Sequence, residues 1–452
     1  MKKTMMILAA MVLILGLPQC KKQTTGVLEG NVEITLDVSM HKGSRINVDP
    51  DSGDVAFEQN DVVYVGSGGK FVGTLTRRGN SFKGQITNAT LGEPLYFFFL
   101  GNKTPAETLT AGSSTTCSVN IGDQTSKLPV ISFATSDQDF TGYGTYTAFF
   151  LNKAALVKFD VTSSLSYPTC ILGVKNKVTV DFATNGFAYS QVDDGCIQLQ
   201  PGTGERWAIL LPQGAVDDAV AQLDNDLGVG TCGTIPAIAE NDYLTEGIEV
   251  TITAFYVDLG LPSGLLWATC NVGADTPEGY GDYFAWGETV PKNYYNWSTY
   301  QYCNGSATNP AFFKYCPKSN WGYNGFTDDL TILEPGDDAA IANKGINFRM
   351  PTQVEFQELY NNTTMTSTQQ NGVNGCLFTA ANGSSLFLPA AGSLYFDSLS
   401  DEGSYGYYWS SSLYSNINMP YNAWNFVFPM DNYMDGSYRS RGFTVRPVRS
   451  AP

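Results

Sequence analysis

The sequence predicts a mostly β fold: two β-sandwich units followed by a unit that combines strands with a helix. The segment "NVEITLDV" alternates apolar and polar residues strictly, which is typical of a half-buried strand. Further short apolar segments follow, separated by Gly, Pro and Asp. Composition changes near Phe255, after which 18 of the 25 tyrosines and six of the seven tryptophans occur.

The first strand sets the pattern for the N-terminal half, because Val32, Ile34, Leu36 and Val38 would all lie on one face. Later segments with the same character predict further short strands, joined by turns rich in Gly and Pro. They are "DVVYVG", "PLYFFFLG", "TAFFLNKAALVKFDV", "KVTVDFA", "RWAILLPQ" and "GIEVTITAFY". We therefore predict sandwiches over residues 27–130 and 131–254, and a third unit over 255–452.

One helix stands out in the third unit, within "FRMPTQVEFQELYNN". Thr352 and Glu355 form the sequence pattern of a capping box, so the helix should begin at Gln353. Phe356 and Leu359 then share a buried face. No His or Cys lies near Glu355 in the sequence, so the helix is interpreted as a scaffold element and not as a catalytic one.

The N-terminus predicts export. Lys2 and Lys3 precede an apolar run from Met5 to Leu17, which is followed by "LPQC". This arrangement resembles the bacterial lipoprotein signal, in which the Cys becomes the lipidated first residue. The resemblance implies a signal peptide over residues 1–20, lipidation at Cys20, and an outer-membrane lipoprotein precursor at the cell surface.

Charge and histidine content exclude several classes of function. The chain has 26 Lys and Arg against 43 Asp and Glu, so we expect no nucleic-acid partner. Its single histidine, His41, excludes histidine-based triads and metal sites from the C-terminal half. We therefore expect no enzyme, although a hydrolase that uses carboxylates alone stays open as an alternative.

Eight cysteines follow Cys20, and none of them has C-x-x-C spacing. Export permits disulfides, and each half of the chain leaves three possible pairings open. The four in the first half are Cys117, Cys170, Cys196 and Cys232; the four in the second are Cys270, Cys303, Cys316 and Cys376.

Residues 27–250 resemble the fimbrillin, or Mfa-like, family of Bacteroidetes surface proteins. The resemblance rests on "SRINVDPDSGDVAFEQNDVVYV", "SFKGQI", "PLYFFFLG", "ALVKFDV" and "WAILLPQ". It implies two transthyretin-like sandwiches that assemble into pili by strand exchange. In that family an Arg-specific protease removes the first strand, and a strand of another subunit fills the groove. The resemblance implies that Arg45, which follows the first predicted strand, is the corresponding cleavage position; the alternative is that Arg45 is an ordinary loop residue.

Residues 257–449 resemble the Fibrobacter succinogenes major paralogous domain, a secreted module related in fold to C-type lectins. The matching segments occur in the order of that family. They are "VDLGLPSGLLWATCNVGADTPEGYGDYFAWGET", "FRMPTQVEFQEL", "SLFLPAAGS", "GYYWSSSLY" and "FTVRPVR". The resemblance implies an α+β lectin-like domain in which the capped helix supports long loops.

We predict no cofactor. The "EPG" at Glu334 and the "WNF" at Trp424 lack the Asn and Asp of the calcium-dependent sugar site, although calcium elsewhere stays possible. The acidic cluster of Asp49, Asp51 and Asp54 lacks the full ligand order of a calcium loop and is interpreted as a turn.

Sugar binding without calcium would use aromatic rings with polar partners at their rim. The loops between residues 293 and 338 contain such residues. The candidates are Tyr294, Tyr295, Trp297, Tyr300, Trp321 and Tyr323, with Asp328, Asp329, Asp337 and Asp338.

These observations predict a fimbrial tip adhesin. A chain that ends in a globular domain can accept a strand from other pilin subunits but has none to lend, so it would cap the fibre. Its lectin-like domain would bind a host or bacterial glycan or protein. The alternative is a lipid-anchored surface glycan-binding protein that does not polymerise.

Overall fold

The computed structural model describes residues 26–40, 57–217, 219–223, 226–306, 309–429 and 433–452. It is 49% strand and 6% helix, which confirms the mostly β class. The predicted signal with Cys20, and also His41, Arg45 and the Asp49 to Asp54 cluster, lie outside the described residues. In the described ranges, no helix combines the length and the apolar character needed to cross a membrane.

The first sheet is a closed barrel. The first eight strands are β1 (Gly26–Met40), β2 (Val62–Ser67), β3 (Lys70–Arg78), β4 (Ser81–Leu91), β5 (Pro94–Leu100), β6 (Thr116–Asn120), β7 (Ile131–Asp139) and β8 (Gly144–Asn152). All of these except β6 form the barrel, in the order β1, β4, β3, β2, β5, β7, β8. The strand β1 closes it, antiparallel to β4 and parallel to β8.

The alternation predicted for β1 is confirmed. Val32, Ile34 and Leu36 are buried and Val38 is half-buried. Leu36 lies opposite Phe82 of β4 in the register. The strand therefore supplies part of the barrel's core as well as its closing hydrogen bonds.

The second unit contains β9 (Ala155–Thr162), β10 (Thr169–Ile171), β11 (Lys177–Asp181), β12 (Gly186–Ser190), β13 (Ile197–Leu199), β14 (Gly204–Leu210), β15 (Val220–Leu223), β16 (Gly228–Cys232) and β17 (Tyr243–Ala254). Its larger sheet has the order β13, β10, β15, β16, β17, β9, β14, and a smaller one has the order β12, β11, β6. The sheets therefore cross the predicted boundary at residue 131, because β7 and β8 complete the barrel while β6 joins the second unit. One continuous buried cluster runs through both units.

One disulfide joins Cys170 and Cys196. This is one of the pairings that the sequence left open for the first half. Cys117 and Cys232 are buried thiols, and the four cysteines of the C-terminal unit are also unpaired in the described structure.

The C-terminal unit combines small sheets with two helices. Its strands are β18 (Tyr256–Asp258), β19 (Leu265–Ala268), β20 (Thr363–Gln370), β21 (Val373–Ala380), β22 (Ser385–Pro389), β23 (Ser393–Tyr395), β24 (Ser398–Ser400), β25 (Gly406–Leu413), β26 (Asn422–Phe428), β27 (Met434–Tyr438) and β28 (Val448–Ser450). Its helices are α1 (Ala339–Lys344) and α2 (Gln353–Asn362). The sheets are β18-β19-β28, β20-β21-β22, β23-β24 and β25-β26-β27.

The predicted helix is α2, and its capping box is confirmed. Thr352 accepts from the backbone N–H of Glu355, while the Glu355 carboxylate accepts from the backbone N–H of Thr352. Phe356 is buried, 5.0 Å from the ring of Phe426. Glu355 also forms an ion pair with Arg349. These contacts hold the helix in the core of the C-terminal unit, as expected of a scaffold element.

Candidate functional site

The exposed aromatic side chains of the C-terminal unit form its candidate binding surface. One group, which we call the aromatic rim, consists of Tyr294, Tyr395, Phe396 and Arg441. The Phe396 ring lies 5.4 Å from that of Tyr294 and 4.2 Å from that of Tyr395. The Arg441 guanidinium lies 5.3 Å from the centre of the Tyr395 ring. The three rings are 37–41% exposed, so they form a continuous apolar face open to solvent.

The rim is held by backbone pairing. Phe396, at the tip of the hairpin β23–β24, has φ of 57°, a left-handed conformation that costs a side chain of this kind about 1–2 kcal/mol. Two hydrogen bonds between the backbones of Phe396 and Tyr295, of 2.7 and 2.8 Å, fix it there. Tyr295 is itself anchored, because its hydroxyl donates to the carbonyl of Tyr283. The backbone that carries the Phe396 ring is therefore set before any ligand arrives.

On the other side of Tyr295, the close approach of Gly442 also helps to hold the aromatic rim in place. Gly442 pairs with Leu394 of β23, and a Cβ at Gly442 would lie 2.8 Å from the Tyr295 ring. Only glycine at position 442 allows the segment that carries Arg441 to pass so near the Tyr295 ring.

A second group, the aromatic row, consists of Trp297, Tyr438, Tyr421 and Trp321. Successive ring centres are 5.8, 5.7 and 5.0 Å apart. Tyr438 is 44% exposed and the other three are half-buried. The Arg441 backbone N–H donates to the carbonyl of Tyr438, so one turn connects the row to the rim.

Buried groups lie beneath the row. The Arg439 guanidinium is fully buried, 3.9 Å from the centre of the Phe312 ring, and burial lowers its pKa. Tyr300 is also buried and donates to the carbonyl of Trp286. Tyr300 therefore belongs to the support of the surface and cannot reach a ligand.

Besides Tyr300, three of the predicted site residues are buried and fully used by the fold. Tyr295 is 1% exposed. Asp338 caps α1, accepting from the backbone N–H groups of Ala340 and Ile341, and also accepts from that of Met350. Burial raises the pKa of Asp338 although these hydrogen bonds oppose the shift.

Asp337 is the third. Tyr302 and Tyr315 donate to its carboxylate at 2.6 and 2.5 Å, and Lys314 at 2.6 Å. Burial opposes ionisation, but these donors outweigh it and hold the pKa of Asp337 below its usual value. Because three donors already bind the Asp337 carboxylate, it joins the loops together and is not available to a ligand.

The remaining predicted residues are separated from one another. Asp328 accepts from the backbone N–H groups of Tyr315 and Cys316 at 2.7 and 2.8 Å, so it shapes the loop. Asp329 is exposed. Tyr323 is also exposed, and its ring lies 5.0 Å from that of Phe313.

Among the described residues, no group of three or more His, Cys, Asp or Glu side chains could hold a metal ion. Asn425, of the "WNF" segment, is fully buried within β26. It therefore has no access to a surface sugar.

Sequence reasoning identified Tyr294, Trp297 and Trp321 but missed their partners, which lie 100 or more residues further along the chain. The missed partners are Tyr395, Phe396, Tyr421, Tyr438 and Arg441. An aromatic pair next to Asp in "SLYFDS" was the one local signal for the hairpin tip. No local signal marks Arg441, because its place depends on the pairing of Gly442 with Leu394.

Comparison with known proteins gave matches among solved structures alone. No family model matches the chain, and no curated protein matches it. The structural neighbours are Bacteroidetes fimbrial and cell-adhesion proteins.

Three of these neighbours illustrate the range of identity, coverage and TM-score. A fimbrial protein from Bacteroides ovatus ATCC 8483 is 11% identical, with 94% of this chain and 100% of that chain covered and a TM-score of 0.30. A candidate cell adhesion protein from Bacteroides uniformis ATCC 8492 is 12% identical, with 51% and 97% covered and a TM-score of 0.28. The fimbrial anchor protein Mfa2 from Porphyromonas gingivalis is 12% identical, with 44% and 78% covered and a TM-score of 0.24.

Proposed function

We propose that the protein is a cell-surface fimbrial subunit that accepts a strand from another subunit and presents its C-terminal unit as an adhesive domain. The observation that carries this proposal is the position of β1 in the barrel. It pairs with β4 on one side and with β8, in parallel, on the other. Along the chain, residues 41–56 separate β1 from the next described residue, Phe57.

Loss of β1 would leave a groove with unpaired backbone groups on both walls. The sites that Val32, Ile34 and Leu36 fill would become empty apolar slots. Such a groove binds an extended strand by main-chain hydrogen bonds and selects it by alternate side chains. A cut after Arg45 would release β1 and, with it, the lipid proposed at Cys20.

The C-terminal unit suits a tip position. Its strand β28 pairs with β19, and Val448 is fully buried, so this strand is not free to be lent. We propose that the first two units are transthyretin-like and that the third is lectin-like. The rim and row would bind a host or bacterial glycan or protein, without catalysis.

The test uses the full chain expressed in a Bacteroidetes host, with an Arg45→Ala variant as the matched control. We expect the mature wild-type protein to begin at Ile46 and to migrate with pilin subunits in strand-exchanged oligomers. The variant should keep its lipid at Cys20 and stay monomeric. N-terminal sequencing, mass spectrometry and unheated gel electrophoresis provide these readouts.

A wild-type protein that keeps its lipid and co-purifies with no pilin would contradict the proposal. That result would favour the second candidate, a lipid-anchored glycan-binding protein that does not polymerise. The aromatic surface supports this candidate equally well, because the surface lies in the C-terminal unit and does not depend on β1.

A further inference from the structure

We propose that the aromatic rim binds a sugar unit that carries a carboxylate, with Arg441 as the partner of the anion and no metal ion involved. This inference rests on the proposed adhesive function and specifies the chemical class of the ligand. It follows from three properties of the rim: its ring geometry, the free charge of Arg441 and its rigid support.

The rings supply the apolar part of the site. Phe396 and its two tyrosine neighbours expose adjacent faces, and such faces bury the C–H side of a sugar ring while the tyrosine hydroxyls stay available at the edge. Three rings within about 10 Å match one or two sugar units. Because the backbone of Phe396 is hydrogen-bonded to that of Tyr295, little backbone freedom is lost on binding.

The charge of Arg441 sets the class of ligand. In the described part of the chain, no carboxylate lies within 4 Å of it, whereas three other cations of the same unit are paired. Lys292 pairs with Glu288, Lys314 with Asp337, and Arg349 with Glu355. The Nε atom of Arg441 is buried without a hydrogen-bond partner.

Neither of the two carboxylates at or just after the hairpin β23–β24 forms an ion pair with Arg441 in the described structure. Asp401 accepts a hydrogen bond from the Tyr407 hydroxyl, and Asp397 is exposed beside Phe396. The Arg441 guanidinium therefore has no ion-pair partner among the described residues, in a chain whose net charge is −17. The guanidinium carbon lies 5.3 Å from the centre of the Tyr395 ring, and the fork of N–H donors on a guanidinium fits a carboxylate in two-point contact.

The test measures binding of the full chain to matched pairs of sugars that differ in the carboxylate. Oligogalacturonate is compared with its carboxyl-reduced form, and sialyllactose with lactose, so that uronic and sialic acids are distinguished. Each measurement is repeated with chelator. The variants are Arg441→Gln, Arg441→Lys and Tyr395→Ala. Lys344→Gln is the control, because it removes an equal charge at an exposed site in the same unit.

We expect one acidic member to bind at least about tenfold more tightly than its neutral partner, since charge-assisted hydrogen bonds carry the difference. Arg441→Gln should abolish that preference and Arg441→Lys should recover part of it. Tyr395→Ala should weaken both members of a pair. The Lys344→Gln control and the chelator should change nothing, and unfolding temperatures should show that each variant is folded.

Equal binding of acidic and neutral forms, or binding insensitive to Arg441→Gln, would overturn the inference. If Tyr395→Ala still weakened that binding, the adhesive role would stand with a neutral ligand. Preference for an acidic peptide over every glycan would also overturn it, as would loss of binding with chelator. No binding to any sugar or peptide would count against both this inference and the proposed adhesive role, whereas oligomer formation would test strand exchange separately.

Discussion

Replacing Leu36 by Ala in β1 should weaken the hold of the barrel on its closing strand. Leu36 is fully buried opposite Phe82. The substitution removes three carbon groups, worth about 0.8 kcal/mol each, and the remaining cavity raises the loss to about 3 kcal/mol. At 1.4 kcal/mol per factor of ten, the affinity of the barrel for β1 should fall about 100-fold.

The assay requires β1 to be held without a covalent link. A site for a specific protease is inserted between Met40 and Phe57, and the purified chain is cut there. We expect β1 to remain bound in native buffer and to dissociate at a lower urea concentration in the Leu36→Ala variant. Size exclusion followed by mass spectrometry of the barrel fraction measures how much strand is retained.

Glu33→Ala is the matched control, because Glu33 lies on the same strand with its side chain exposed. It should release β1 at nearly the same urea concentration as the unmodified chain. Equal retention of β1 in Leu36→Ala and in the control would refute the reasoning that apolar slots hold the strand. Loss of β1 from the unmodified chain on cutting, before any urea is added, would refute it too.

Three other predictions concern the C-terminal unit. Asp337→Asn should lower its free energy of unfolding by about 2 kcal/mol at neutral pH, because Lys314 then loses its buried partner. Since the pKa of Asp337 is held below 3.8, the unfolded state binds the proton more readily, and the wild-type advantage should be lost as the pH falls below about 4. Gly442→Ala should displace Tyr295 and lower both ligand affinity and the unfolding temperature, since overpacking costs about 1–3 kcal/mol. Thr352→Ala should cost about 1 kcal/mol by removing the cap of α2, as measured by urea unfolding.

Each of these variants has a control variant of the same type in the C-terminal unit. Asp329→Asn alters an exposed carboxylate and should leave the pH profile unchanged. Gly336→Ala places a Cβ where no atom lies within 4 Å and should leave the rim intact. Val354→Ala changes an exposed position on α2. If any of the three main variants behaved like its control, the contact assigned to it would not matter energetically.

Local patterns predicted the local structure well. The alternation in β1 and the capping box of α2 depend on residues two to four positions apart, and both are confirmed. The division of the chain into structural units was harder to predict from local sequence patterns. Strand partners are chosen by shape and register over long distances, so β6 pairs with β11 although the sequence placed these strands in different sandwiches.

By itself, the sequence determined the mostly β class, the capped scaffold helix and the location of an aromatic surplus in the C-terminal unit. Only the tertiary structure decided which aromatic residues are exposed. Tyr294 and Tyr295 are neighbours in the chain, yet one contributes to the rim and the other is buried beneath it. The physical reason is that burial and charge pairing depend on what the rest of the fold brings near. Arg441 is the clearest case, because its approach to the Tyr395 ring follows from the pairing of Gly442 with Leu394, which no local pattern encodes.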